Sequence, residues 1–343
     1  MNLKPLKVID DTADGSFSSS IIVRSLNEAL KNIGLYDEKG ESVVSYSTIG
    51  SDCGRKDVKA IICLYELAFP EPVLKNLGGR PVIGSGLDNM HFAIRGGYPA
   101  SLCHSLPLGV DSKFFQSKGP PQKNPKRVIC VAESNTRCGL HHVIEAFGKA
   151  FCGRKDVELY IKDRFATERC QSYLKYLANL HGVENFIHDT ANTVNREQMR
   201  LLYESATINI FLNNSSTWAL SCVEGMSMGL PLIAMNHSGP GNYIRNGENG
   251  FTVEWTDEAV DNKLISSLIN TYGYRNFLFD ESQYFKQPFW ASPNVKDAAE
   301  SLHFLIESDK EVECLSSGAI ATARQFTWER SAAQLATIVA SLK

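Results

Sequence analysis

Short apolar runs alternate with amphipathic segments along the whole chain. LKVID (6–10), SVVSYS (42–47), KAIICLY (59–65), RPVIGSG (80–86), RVICVAE (127–133), VELYIKD (157–163), TINIFL (207–212), LPLIAM (230–235) and FTVEW (251–255) read as strands, because β-branched and aliphatic residues cluster between turn signals. The intervening segments carry apolar residues at helical spacing and predict helices at about 19–33, 139–151, 167–181, 196–204, 217–228, 257–270, 296–307 and 329–342. Strand and helix in alternation predict an α/β fold of parallel sheets covered on both faces.

Two stretches break the rhythm. Ser117 to Lys126, SKGPPQKNPK, has three prolines and no other apolar residue, and reads as a linker between domains 1–118 and 119–328. Thr271 to Pro293 carries eight aromatic residues among twenty-three, without helical or strand period. It reads as a surface insertion or as an aromatic patch facing an acceptor or partner.

The densest chemistry lies between Asn213 and Gly250, NNSSTWALSCVEGMSMGLPLIAMNHSGPGNYIRNGENG. The polar cluster Asn213–Thr217 reads as a helix N-cap. The helix carries one acid, Glu224, and stops at Gly229; a buried strand leads to a second turn, Ser238-Gly239-Pro240-Gly241. Two helix starts at the carboxyl ends of neighbouring parallel strands make a phosphate pocket, and a lone acid one to two turns into the first can reach a ribose hydroxyl. The pattern points to a nucleotide-sugar site.

Bulk composition narrows the class. The 343 residues suffice for two cores, with 43% hydrophobic and 21% charged positions. A net charge of −3 supplies no global attraction to nucleic acid or anionic membrane. Nine cysteines without a C-x-x-C pattern, several inside apolar runs, predict buried reduced thiols. The N-terminal MNLKPLKVIDD lacks an apolar signal core, and no run approaches a membrane span, so the expectation is a cytoplasmic protein.

From about Lys126 to Trp328 the chain resembles the retaining GT-B glycosyltransferases of the group 1, or family 4-like, type. Their "E-G/A-M-x-x-G-x-P-x-I" is matched by Glu224-Gly225-Met226, Gly229, Pro231 and Ile233, and their "I-x-x-G-x-x-G" by Ile244, Gly247 and Gly250. Gly109-Val110-Asp111 with Phe114 or Phe115 is similar to their "G-V-D-x-x-x-F". Gly139 with Ile144-Glu145-Ala146-Phe147 is similar to the end of a strand–loop–helix, and Phe326-Thr327-Trp328 to the "F-S/T-W" before the last helix. The resemblance implies a GT-B fold: two doubly wound Rossmann-like domains facing across a cleft, with helix 329–343 packed back on the first. It implies a hexosyl- or pentosyltransferase (EC 2.4) that moves a sugar from a UDP-, GDP- or ADP-linked donor to an acceptor hydroxyl with retention. No metal or cofactor is obligatory. The acceptor class stays open: a glycan, a lipid-linked glycan, a small molecule or modified DNA.

The chain departs from this pattern twice. Ser216 stands eight residues before Glu224, where an acid that contacts the donor sugar is usual. The diphosphate clamp "G-R-x-x-x-x-K-G", aligned on Gly139, places Glu133 and Cys138 at the cationic positions. Arg137 is the nearest replacement; Lys162 and Arg164 are further candidates. The donor-binding set is therefore Gly15, Ser16, Arg137, Lys162, Ser216, Thr217, Glu224 and Gly239, with Arg137, Lys162, His91 and Ser216 at the reaction centre and Glu66 and His91 on the acceptor side. His237, after the strand that ends at the donor site, is a further pocket candidate. Three other readings remain open: a GT-B module that binds nucleotide or glycan without transfer, a viral-type transferase acting on DNA bases, and a metal-dependent phosphatase at Asp10 and Asp11.

Overall fold

The computed structural model describes residues 3–10, 17–39, 42–47, 58–63, 77–86, 90, 93–94, 96–116, 125–135, 137–163, 166–191, 194–259, 267–268, 270–272 and 289–342. Contacts divide the chain into one unit of Met1–Asp111 and Phe326–Lys343 and another of Ser112–Glu281 and Gln287–Gln325. Most of the Pro-rich stretch, 117–124, lies outside the described residues.

In the first unit, β1 (Leu6–Asp10), β2 (Ser42–Ser47), β3 (Val58–Cys63), β4 (Val82–Gly84) and β5 (Cys103–Ser105) form a parallel sheet in chain order. Helix α1 (Phe17–Asn32) buries Ile22, Leu26 and Leu30. It is pinned to β1 by Asn27, whose amide accepts from the Val8 N–H at 2.9 Å and donates to the Val8 carbonyl at 2.8 Å. The C-terminal helix, Trp328–Ser341, packs on α1 and buries Ala332, Leu335 and Ala336. The G-V-D and F-T-W motifs meet here: Val110 N–H donates to the Phe326 carbonyl at 3.0 Å. A Cβ on Gly109 would collide with the backbone of Trp328, so this approach requires glycine.

The second unit follows a stricter alternation. Its elements are β6 (Lys126–Val131), α2 (Leu140–Phe151), β7 (Val157–Lys162), α3 (Glu168–Leu180), β8 (Phe186–Asp189), α4 (Arg196–Glu204), β9 (Ile208–Phe211), α5 (Leu220–Ser227), β10 (Leu232–Met235), the single turn α6 (Ser238–Gly241) and β11 (Gly250–Val253). The six strands are parallel and ordered β11-β10-β9-β6-β7-β8. The chain winds outward from β6 to β8, recrosses the sheet, and winds the other way from β9 to β11. The order therefore reverses between β6 and β9, and in open α/β sheets ligands bind at the carboxyl ends of the strands flanking that point. Val128, Ile129, Cys130, Ile208, Ile210 and Leu232 are fully buried beneath it. Local signals place the helix starts: Thr167 caps α3, and Asn195 with Gln198 forms a reciprocal capping box at α4.

Several elements differ from the pattern-based expectation. Residues 255–259, expected to lead into a helix over 257–270, form β12 (Trp255–Ala259), antiparallel to β13 (Phe289–Pro293). Acidic Asp257 and Glu258 imitate a helix start, while the strand's partner lies far along the chain. β5 and β8 are short and half polar, and did not stand out as apolar runs. After α7 (Val295–Glu307) comes α8 (Asp309–Ala323), whose buried face uses Val312, Leu315, Ala319 and Ala323, too small and sparse to announce a helix. At Gly318 the helix requires glycine, because a Cβ there would clash with the Glu248 carbonyl. Of the aromatic-rich stretch, 273–288 lies outside the described residues and Phe289–Pro293 is β13. Among the described residues no helix is long and apolar enough to cross a membrane.

Candidate functional site

Three loops converge at the carboxyl ends of β6, β9 and β10. The first, Glu133–Gly139, ends at Gly139, which adopts φ 55° as the N-cap of α2. A Cβ there would run into the Leu212 carbonyl, so glycine lets the first loop lie against the second. Asn214 N–H donates to the Arg137 carbonyl at 2.9 Å, and the Arg137 guanidinium donates from Nη1 to the Ser215 carbonyl at 3.1 Å. Asn213 donates from Nδ2 to Cys138 Sγ at 3.4 Å. Arg137 is partly exposed, so a cation stands at the open edge of this junction.

The second loop meets the third with equal closeness. Gly239 N–H donates to the Ser216 carbonyl at 3.0 Å. A Cβ on Gly239 would sit 2.5 Å from the carbonyl carbon of Trp218. Tyr243, fully buried, donates its hydroxyl to the Trp218 carbonyl at 2.8 Å, and its own carbonyl accepts from Asn249 Nδ2 at 2.9 Å. The I-x-x-G-x-x-G turn thus props the loop in front of it.

This geometry corrects two expectations. The polar cluster Asn213–Thr217 is not the N-cap: α5 begins at Leu220, and its N-cap is Ala219 at φ 58° with no side-chain cap. The cluster's side chains turn inward instead, Asn213 to Cys138 and Asn214 Nδ2 to the Ala291 carbonyl at 3.0 Å. Gly239 does not offer its amide to an anion, because the Ser216 carbonyl takes it. At the α5 start Cys222 N–H donates to the Ala219 carbonyl at 3.0 Å, and, as at any helix start, the first amides have no intrahelical acceptors. Ser221 Oγ donates to the Val131 carbonyl at 3.2 Å and fixes that end over the β6 side of the reversal.

Glu224 lies on the partly exposed line of α5 with Leu220 and Ser221, with its carboxyl turned in toward α4. Tyr203, fully buried on α4, donates its hydroxyl to Glu224 Oε2 at 3.1 Å. Burial pushes the Glu224 carboxyl up to about 7, against the pull of the Tyr203 hydroxyl and the positive charge of Arg196. Tyr203 carries no sequence signal of function: in LLYES it reads as one more apolar-face residue.

Lys162 is corrected as a clamp candidate. Its ammonium is buried and donates to the Ala191 carbonyl at 2.8 Å and the Asp189 carbonyl at 3.3 Å, and lies 3.4 Å from Asp189 Oδ1. Tyr160 donates to the other Asp189 oxygen at 2.6 Å, so the cation closes an internal network between β7 and β8. The neighbouring Asp163 is buried and meets His188 Nε2 at 3.1 Å. His237 stacks obliquely on Trp255, ring centroids 4.4 Å apart. His141 and His142, at the start of α2, are held to about 4 and about 3 by burial and stay neutral. Gly15, Ser16, Glu66, His91 and Arg164 lie outside the described residues.

The sequence model of the family described as "Glycosyl transferases group 1" matches residues 111–287, just over half of the chain. The chain belongs to the group 1 glycosyltransferases. A comparison with curated protein sequences finds no match. Among solved structures, a mutant of S. aureus TarM in complex with fondaparinux, alpha-GlcNAc-glycerol and UDP aligns at TM-score 0.64 and 12% identity, over 93% of this chain and 59% of that one. Anabaena HepE in complex with UDP-glucose aligns at 0.62 and 17%, over 92% and 82%. Pneumococcal O-GlcNAc transferase GtfA in complex with UDP and GlcNAc aligns at 0.60 and 13%, over 92% and 59%. At such identities the likeness is one of fold, the α/β GT-B fold with two Rossmann-like units. The chain spans about three-fifths of the length of the TarM structures. Within this group 1 member, the family match covers the three converging loops and Glu224.

Proposed function

We propose that the chain transfers a sugar from a nucleotide-diphosphate donor to an acceptor hydroxyl with retention at the anomeric carbon. The observation that carries this is Glu224 on α5, the helix that follows β9 at the strand-order reversal, with Arg137 bonded to the Ser215 carbonyl in the loop that leads into that helix. Glu224 accepts from the ribose hydroxyls. Arg137 and the first amides of α5, from Leu220 onward, meet the charge that develops on the leaving diphosphate. Retention requires no strong protein base in this scheme. Ser216 and the backbone around it hold the sugar in place of an acid, Gly15 and Ser16 are further donor-side candidates, and the acceptor binds on the first unit, with Glu66 and His91 as its candidates. The TarM, HepE and GtfA structures hold UDP or UDP-glucose, which favours a UDP-linked donor.

A thermal-shift panel of nucleotides and nucleotide sugars tests this reading. Ligands that bind the folded state raise its melting temperature by mass action. UDP and UDP-sugars are expected to stabilise the wild type, and Glu224→Ala to lose that response. Absence of any nucleotide response would remove the proposal. A second reading, binding without transfer, draws on Ser216 in place of an acid and on the internal engagement of Lys162. Binding of UDP-sugars with neither hydrolysis nor transfer, across a panel of acceptors, would favour it.

A further inference from the structure

Tyr203 and Glu224 are joined in a closed circuit of contacts. Tyr203 sits on α4 with its side chain fully buried, and its hydroxyl reaches Glu224 Oε2 at 3.1 Å. Its ring meets Phe115 edge-on, with centroids 6.1 Å apart. The Phe115 carbonyl accepts from Ser227 Oγ at 2.7 Å, and Ser227 stands on the same helix as Glu224. The circuit returns to α5, so neither the ring nor the hydroxyl of Tyr203 can turn without breaking a packed contact.

We propose that Tyr203 is a positioning residue for nucleotide binding: its hydroxyl holds Glu224 Oε2 and leaves Oε1 to accept from the ribose. This rests on the reading of Glu224 as the ribose acceptor. A carboxylate that must meet a vicinal diol gains from a fixed rotamer, because the ligand then bears less of the ordering cost. The hydroxyl has a second effect. A donor to the charged form favours ionisation, so Tyr203 opposes the desolvation that protonates Glu224. Among the described residues, the groups acting on the carboxylate are Tyr203 and Arg196 from α4, and Cys222 lies near it on its own helix. Arg196 is stacked over Phe114, 4.3 Å from the ring centroid, so the same aromatic pair orders both partners of Glu224.

The test measures UDP affinity by calorimetry from pH 5.5 to 9 in the wild type, Tyr203→Phe, Glu224→Gln and a protein carrying 3-fluorotyrosine at position 203. The terminal phosphate of UDP titrates near about 6 in every case and cancels in the ratio to wild type. The wild-type affinity is expected to rise with a midpoint near 7 as Glu224 ionises. Loss of the hydroxyl in Tyr203→Phe is expected to move this midpoint up by about one unit. The same variant should weaken binding about fivefold more at pH 7 than at pH 9, where only the smaller loss from the freed carboxylate rotamer remains. The more acidic fluorophenol donates more strongly and should move the midpoint down; it also decides the matter if the Phe variant does not fold. A midpoint unmoved in both variants, or an affinity in Tyr203→Phe equal to wild type at every pH, overturns the positioning role. Glu224→Gln separates the two readings: unchanged affinity at every pH would sink the ribose assignment itself, whereas a weak, flat profile leaves Tyr203 to be judged by its own variants.

Discussion

Gly239 donates its amide proton to the Ser216 carbonyl at 3.0 Å, tying the loop after β10 to the loop after β9. A residue that reads in sequence as the start of an anion-binding helix is a clasp between two loops. The space is as demanding as the bond, because a Cβ would fall 2.5 Å from the Trp218 carbonyl carbon. Gly239→Ala must push the loops apart. The expected outcome is a fold retained by circular dichroism with UDP affinity reduced at least about tenfold. Wild-type affinity in this variant would show that the clasp does not shape the site.

Arg137 and Lys162 are separated by partner, and their variants should separate likewise. Arg137 stands partly exposed at the junction of two loops, whereas Lys162 is buried against Asp189 and Ala191. Arg137→Met is expected to weaken UDP about tenfold or more and leave uridine, which has no phosphate, unchanged. Lys162→Met leaves the Asp189 charge without its cation and is expected to cost about 3 kcal/mol of folding stability. Its UDP affinity, measured where the protein is folded, should stay within about twofold of wild type. Calorimetry with both ligands and denaturant melts check the pair; a reversed pattern would restore Lys162 as the clamp.

The Glu224 carboxyl also sets a pH dependence of stability. Its folded-state value, about 7, lies above the ordinary 4.5, so the folded protein binds more protons than the unfolded chain between those values. The contribution is fully present below about 4.5 and lost as pH rises through about 7. In the absence of nucleotide, Glu224→Gln should therefore gain stability relative to wild type as pH rises from 5 to 8. Chemical denaturation at both pH values tests the sign; an equal difference at the two would show an ordinary carboxyl.

Ala219 stores strain at the head of α5. It holds φ 58° and ψ 70°, a left-handed conformation that costs an L-residue with a Cβ about 1–2 kcal/mol. Ala219→Gly relieves that cost at the expense of some unfolded-state entropy, and a net gain of about 0.5–1 kcal/mol is expected. An equilibrium denaturation midpoint that falls instead would show that the alanine methyl makes packing contacts outweighing the strain.

Much of the second unit was legible from the chain. A run such as RVICV or INIF between helical segments announces a buried parallel strand, because burial on both faces demands continuous apolar residues. The helix expected at 196–204 begins where expected, because Asn195 and Gln198 satisfy neighbouring amides within four residues. The glycine-marked turns and Glu224 could be read because each requirement is local: a positive φ, a close backbone approach, or one acid at a fixed distance from a helix start. These features together were enough to name the family.

What the chain did not disclose depends on contacts distant in sequence. Whether Asn213 caps its own helix or bonds Cys138 is decided by the approach of Gly139 to Leu212, some seventy residues apart. Lys162 reads as an available cation until β8 pairs beside β7 and brings Asp189 and Ala191 to it. β12 could not be distinguished from a helix start because its partner strand lies thirty residues on, beyond the reach of any local pattern. The hydroxyl of Tyr203 gains a role only where α4 crosses α5 and delivers it to Glu224. Sequence by itself determined most of the buried strands and the helices between them, and singled out Glu224 as the one acid on the helix of the densest motif. Only the tertiary structure decided which polar groups are consumed internally, because one hydrogen bond from a distant loop is enough to remove a donor from the site.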